Sequence, residues 1–261
     1  MVILYEHPLS PYAQKNKIAL REKGVNFELR LPDALGSGAA GGQFLTANPR
    51  AEVPALIDGD AQIFDSTVIL EYIEDKWPSP ALLPSTPAER AKARMIEDVM
   101  DTHYEAINWG LGEINYFQRA TGELASQITQ RAKAQTEGFQ QWLGQQLGDN
   151  DWFNGAEFGW GDLSVIPYIN GSISFGFAPA EDSALSDWHQ RTMQRLSVAQ
   201  TSEEATASVS GMEQVGEILK SGLFKREYRD HRLEWMIRSG GLDVVLKGLK
   251  DDNIRFSHEF T

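Results

Sequence analysis

Apolar and polar positions change rhythm several times along this chain, and each rhythm predicts an element. The run Val2-Ile3-Leu4-Tyr5 reads as a buried strand. Ser10-Pro11 then opens a helix, with proline suited to its first position, and Gly24 suits the stop after Lys23. Phe27, Leu29 and Leu31 alternate, which predicts a second strand. Apolar stretches at 53–57 and 61–64 flank Asp58-Gly59-Asp60, a hairpin signal. Residues 66–76 have helical period, and Pro78 lies just past them. Pro78, Pro80, Pro84 and Pro87 then punctuate a linker.

Beyond the linker the period is helical to about residue 200. Thr86-Pro87-Ala88-Glu89 forms a capping box, and long helical segments follow near 88–118 and 124–147. A further helix is expected from Gly159. Phe158 and Leu163 are spaced as a hydrophobic staple, and Asp162 can reach back to the cap. Gly159 itself offers no side-chain acceptor. Residues 201–210 are small and polar and predict a loop, and 211–261 predict another charged helical stretch. The β-α-β then β-β-α order is that of a thioredoxin-like domain. The expected class is therefore α+β, a thioredoxin-like N-terminal domain over 1–78 followed by an all-α bundle over 86–200. A helical extension occupies 201–261.

With 261 residues and 41% apolar content, the chain has material for two packed domains and no disordered composition. Its net charge of -13 opposes nucleic-acid binding and means that an anionic ligand needs local donors. No apolar run reaches the ~20 residues of a membrane span, and the first residues do not read as a signal peptide. A cytoplasmic location is expected. The absence of cysteine excludes disulfides, zinc-thiolate sites and a protein-thiol nucleophile.

The chemistry concentrates at three places. Ser10 puts a hydroxyl at the start of the first helix, where unpaired N–H groups and a partial positive charge favour anions, thiolates included. Val53-Pro54 precedes the hairpin, and Asp65-Ser66 opens the next helix. Ser-Pro-Tyr-Ala-Gln-Lys at 10–15 is similar to the Cys-Pro-Phe-Ala-Gln-Arg opening of omega-class glutathione transferases. It also resembles the Ser-Pro-Phe opening of the plant tau class and the Ser-Pro-Tyr stretch of β-etherase-type members. Asn48-Pro49 with Val53-Pro54-Ala55-Leu56, and the stretch 64–73, resemble two further signatures of cytosolic glutathione transferases.

The resemblance implies a glutathione transferase, with glutathione as cosubstrate, no metal, a small apolar electrophile as second substrate, and a homodimer. It implies that Ser10 donates to the glutathione sulfur and that Val53, ahead of a cis Pro54, pairs with the cysteinyl backbone. Asp65 and Ser66 then hold the γ-glutamyl end, with Tyr12 and Arg50 as further glutathione contacts. Tyr104, Trp109, Tyr116, Phe117 and Trp160 are the aromatics available to line the electrophile pocket, two of them facing the cleft. Serine in place of the omega cysteine argues against a mixed-disulfide mechanism. Glu52 stands where the family carries a basic residue, and Arg50 is the nearest substitute. A noncatalytic carrier or regulator on the same fold is the alternative.

Other features compete for attention. Tyr5 is the next candidate for activating the thiol, though a strand residue packing inward explains it more simply. Gly36, Gly38 and Gly41 spell a dinucleotide motif, but Pro49 interrupts the long helix such a motif requires. Asp98, Asp101 and Glu105 share a helix face by spacing. An acidic solvated face accounts for them, with Asp101 placed to approach the ligand's amine. His103 reads as a surface or core histidine. No Gly-x-Ser-x-Gly elbow is present, which disfavours an esterase.

Overall fold

Strand β1 (Val2–Tyr5) is the inner strand on which the N-terminal half is assembled. The computed structural model describes residues 1–33, 42–209, 233, 236, 237, 240–251 and 253. Helix α1 (Pro11–Glu22) leads to β2 (Phe27–Arg30), which lies parallel to β1. A six-residue helix α2 (Gly42–Ala47) precedes the hairpin β3 (Ala55–Asp58) and β4 (Ala61–Phe64). Helix α3 (Ser66–Lys76) closes the unit. The sheet order is β2-β1-β3-β4, with β3 antiparallel to both neighbours. Gly59 makes the tight turn at φ 61°, a conformation that lacks a Cβ penalty only in glycine. This is the expected thioredoxin-like arrangement. Strand β3 begins two residues later than its apolar run, because Pro54 has no N–H for the ladder.

The second half is helical: α4 (Pro87–Val99), α5 (Glu105–Asn115), α6 (Gly122–Leu147), α7 (Trp160–Ser174), α8 (Ala184–Met193) and α9 (Leu196–Val209), with α10 (Leu242–Lys250) beyond. Thr86 caps α4 as expected: Glu89 N–H donates to Thr86 Oγ1 at 3.3 Å, and that hydroxyl in turn donates to the Glu89 carboxylate at 2.7 Å in place of the backbone half of a capping box. At α7, Asp162 accepts from Gly159 N–H at 3.0 Å, from Phe153 N–H at 2.8 Å and from Trp188 Nε1 at 2.7 Å. Burial nonetheless pushes its carboxyl up to about 6. Phe158 and Leu163 are both buried beside it.

Three features not foreseen in the sequence have physical causes. Between α4 and α5, a π turn (Met100–Tyr104) replaces a continuous α-helix, and Glu105 N–H reaches back five residues to the Met100 carbonyl. Residues 201–209 are helical rather than a loop. Thr201, Thr206 and Ser208 hydroxyls donate to carbonyls four residues earlier, and Thr201 and Glu204 dock on α1. Third, α1 buries polar residues, Gln14, Lys15, Asn16 and Lys17, because it lies between the sheet side and the helical half. The dinucleotide-like glycines 36, 38 and 41 and most of the expected helical stretch 211–261 lie outside the described residues.

One apolar cluster runs through both halves, joining Leu4, Ile18, Leu56 and Ile69 to Ile96, Trp160, Leu163 and Ile166. A second, smaller one joins Ile3, Tyr5, Phe44, Ala47, Ala55 and Ile57 on the other face of the sheet.

Candidate functional site

Strand register fixes where the three candidate segments emerge. Tyr5 lies opposite Ala55, and Ala55 lies opposite Phe64. The end of β1, the start of β3 and the end of β4 therefore share one edge of the sheet, with adjacent strands about 4.8 Å apart. Beyond that edge lie the loop to Ser10, the Val53-Pro54 pair and the Asp65-Ser66 pair.

Ser10 is the N-cap of α1, with extended backbone (φ −77°, ψ 113°), and its Oγ accepts from Ala13 N–H at 3.3 Å. That bond engages an oxygen lone pair and leaves the hydroxyl hydrogen available to a ligand. The loop before it is tied down from both sides. Ser10 N–H donates to the His7 carbonyl at 2.8 Å, and Gln14 Nε2 donates to the Pro8 carbonyl at 2.8 Å. Leu9 N–H donates to His7 Nδ1 at 3.2 Å. Burial and the charge of Lys17 hold His7 below its ordinary value, which suits an imidazole accepting at Nδ1.

The Val53–Pro54 bond is cis. The preceding turn is held by Asn48, which is buried: its Nδ2 donates to the Glu52 carbonyl at 2.7 Å and its Oδ1 accepts from Arg50 N–H at 3.0 Å. Asn48 enters the sequence argument only as part of a motif, and its structural task appears only once the turn is seen. Asp65, not Ser66, is the N-cap of α3; it accepts from Thr67 N–H at 3.1 Å and Val68 N–H at 3.3 Å. Its φ of 75° is strained for a residue with a Cβ, and strain of this kind marks functional turns. Ser66, the first residue of α3, is 7% exposed. Arg50 lies over the Phe64 ring at 5.0 Å. Arg50 and Asp65 face one cavity of about 510 Å³, completed by Gln62, Ile63, Phe64 and Val68. A cation and an anion thus stand at one open hollow beside the sheet edge.

Several expected site residues lie elsewhere. Tyr12 turns to the helical half: its hydroxyl donates to the Asp101 carbonyl at 2.8 Å, and its ring meets Tyr168 edge-on at 6.4 Å. Tyr104 and Trp160 have no exposed surface, and Phe117 is buried, so these three are core residues rather than pocket lining. Tyr104 packs on Phe139 at 5.4 Å and accepts from Ser172 at 2.9 Å; burial pushes its phenol up to about 12. Trp109 and Tyr116 are half-buried, and Tyr116 packs on Phe175 at 5.5 Å with the rings tilted by 48°. Tyr5 packs on Phe44 at 5.3 Å, with its hydroxyl 3.4 Å from Gln43.

The acidic face also resolves differently. Asp98 is exposed, whereas Asp101 turns inward, because the π turn breaks the helical period between Asp98 and Glu105. Lys15 Nζ donates to Glu97 and to Asp101, each at 2.5 Å. Burial alone would depress Lys15, but Asp101 and Glu97 raise it above its ordinary value. Burial, with Glu97 adding to it, holds Asp101 above the usual carboxylate range despite Lys15. Asp101 is thus occupied within the protein rather than turned to a ligand amine. Among the described residues no group of three or more His, Asp or Glu is placed to hold a metal ion. No described helix is long and apolar enough to cross a membrane.

Residues 4–81 match the family model described as "Glutathione S-transferase, N-terminal domain". The chain is 30% identical over 214 residues to glutathione S-transferase U28 of Arabidopsis thaliana, covering 78% of this chain and 89% of that protein. Among solved structures it resembles a glutathione S-transferase from Rhodospirillum rubrum F11, with 26% identity and a TM-score of 0.68. That match covers 77% of this chain and 91% of the other. It also resembles rice GST1 in complex with glutathione, with 26% identity and a TM-score of 0.67, covering 82% and 98%. The fold, the family model and a relative aligned over 89% of its own length agree, and the chain belongs to the glutathione S-transferase superfamily.

Proposed function

We propose that this protein is a glutathione transferase that directs the glutathione thiolate onto an apolar electrophile. The observation that carries this reading is the strand register, which brings the Ser10 helix start, the cis Val53–Pro54 pair and Asp65-Ser66 to one edge of the sheet. In the proposed complex Ser10 Oγ donates to the sulfur, and the start of α1 favours thiolate over thiol. The Val53 backbone pairs with the cysteinyl residue as a short ladder. Asp65 takes the γ-glutamyl amine, and the Ser66 hydroxyl and N–H take its carboxylate. Arg50, which lines the same cavity as Asp65, receives the glycyl carboxylate in place of the basic residue that Glu52 displaces. The thiolate forms a carbon–sulfur bond either by substitution, in which the leaving group departs with the bonding electrons, or by addition across an activated double bond, whose displaced electron pair takes up a proton; the protein supplies orientation and stabilises the anion. Trp109 and Tyr116 are the aromatics retained as candidates for the electrophile side. Residues 1–78 form the glutathione half and 86–200 the helical half in this reading, with 201–261 as an extension and a homodimer as the working unit.

Glu52 supports a second reading, a noncatalytic carrier, because a carboxylate there repels the glycyl end. Two measurements separate them. The protein is expected to be retained on immobilised glutathione, and Asp65→Ala to lose retention. In a panel of a chlorinated nitroarene, an organic hydroperoxide and an aryl ether, Ser10→Ala is expected to lower turnover about ten-fold or more with glutathione binding largely kept. Retention with no thiol consumption on any substrate selects the carrier. Unchanged turnover in Ser10→Ala moves thiol activation to Tyr5.

A further inference from the structure

Two carboxylates of the helical half, Glu97 and Asp101, reach the openings of both helices that carry the candidate glutathione contacts. Glu97 is 2% exposed and accepts from three elements at once. Lys15 Nζ of α1 and Thr67 Oγ1 of α3 both donate to its Oε1, at 2.5 and 2.8 Å, and Trp160 Nε1 of α7 donates to its Oε2 at 2.5 Å. Thr67 is the residue after Ser66 and donates its N–H to the Asp65 cap. Asp101 holds α1 twice. Its Oδ2 accepts from Lys15, and its carbonyl accepts from Tyr12 Oη at 2.8 Å, while Tyr168 Oη donates to its Oδ1 at 2.7 Å.

The π turn explains why Asp101 can do this. One extra residue in the ladder leaves a carbonyl without an in-register amide, and such turns recur at functional sites. Here an outside hydroxyl donates to the Asp101 carbonyl, and it comes from the second residue of the helix that Ser10 caps. Two carboxylates share one ammonium in a buried setting, an arrangement that adds little net stability over apolar packing but fixes geometry.

We infer that Glu97 and Asp101 are positioning residues that set the spacing between the Ser10 and Asp65-Ser66 helix starts, and so between the sulfur and γ-glutamyl ends of bound glutathione. The inference rests on the proposed glutathione site. It divides the labour: the Glu97–Thr67 bond governs the γ-glutamyl end, and the Asp101–Tyr12 bond governs the sulfur end.

The test uses single-hydroxyl deletions in the full chain, Thr67→Val and Tyr12→Phe, with Thr67→Ser as the conservative restoration. Glutathione affinity is measured by calorimetric titration, and ionisation of the bound thiol by thiolate absorbance across a pH series. Thr67→Val is expected to weaken glutathione about five-fold with thiol ionisation unchanged, and Thr67→Ser to restore affinity. Tyr12→Phe is expected to move the thiol's ionisation to higher pH and to lower turnover at saturating glutathione about five-fold, with affinity within about two-fold. Equal effects of both variants on both quantities, or no effect of either beyond a lower melting temperature, overturn the positioning role while the glutathione site stands. An unsubstituted protein that binds no glutathione removes the site and this role together.

Discussion

At the residue scale, what decides each site position is how many partners a single side chain can satisfy. Asp162 takes three donors and anchors the start of α7, while Gly159 beside it leaves no room for a side chain. A Cβ at Gly159 would collide with the Leu82 carbonyl and the Asn154 side chain, and the carbonyl belongs to backbone that cannot swing away. Gly159→Ala is therefore expected to destabilise the protein by about 2 kcal/mol or more, read as a lower urea midpoint at unchanged slope. A cap weakened by the missing hydroxyl is the sequence-level expectation; the structure shows close approach as the reason for glycine. Ser10 as the cap of α1 and Asp65-Ser66 as the opening of α3 were legible because short polar groups at element boundaries follow local rules of capping. Glu97 and Thr67 were not, since each is ordinary in its own helix and gains meaning only from a residue thirty positions away.

At the element scale, α1 is the part that sequence periodicity describes least well. Its consecutive polar positions at 14–17 are buried because α3, α7 and α9 all pack against it. Helix α9 carries the clearest consequence. Glu204 pairs with Arg21 and with Lys17 Nζ at 3.0 Å, and Lys17 also lies 3.2 Å from Glu6. Partial burial works against the Glu204 charge, but the bonds from Arg21 and Lys17 hold its carboxyl below the ordinary value. A carboxyl depressed in the folded state contributes stability that is present above its unfolded value, near 4.5, and is lost as pH falls through the folded value. Glu204→Gln is expected to cost about 2 kcal/mol at pH 7, discounted for partial exposure. The deficit relative to the unsubstituted protein should begin to shrink as pH falls below about 4.5 and should vanish only beneath the lower folded value, where the position is uncharged in both proteins. Acid titration of the urea midpoint for the two proteins checks this; a deficit independent of pH removes the ionic account of how α9 docks. The loop expected at 201–210 came from composition alone, and composition cannot register hydroxyls that bond back along their own helix.

At the scale of the whole molecule, the two halves were legible as a thioredoxin-like unit and a helical bundle, but their coupling was not. A linker rich in proline suggests independent domains, whereas one apolar cluster and the Lys15–Glu97–Asp101 set cross between them. Shared burial on this scale predicts a single cooperative unfolding transition. The tryptophans make this measurable, because all seven lie at position 77 or beyond. Fluorescence therefore follows chiefly the helical half, while far-ultraviolet circular dichroism follows both. The two signals are expected to give one coincident urea midpoint. Lys15→Met keeps much of the side-chain volume but leaves Glu97 and Asp101 buried without their ammonium, a change expected to cost about 3–5 kcal/mol. Both signals should shift together in that variant, since neither half retains a complete surface without the other. A dichroism transition that separates from the fluorescence transition, in either protein, would show that the sheet domain stands alone and that α1 is a contact rather than a shared core.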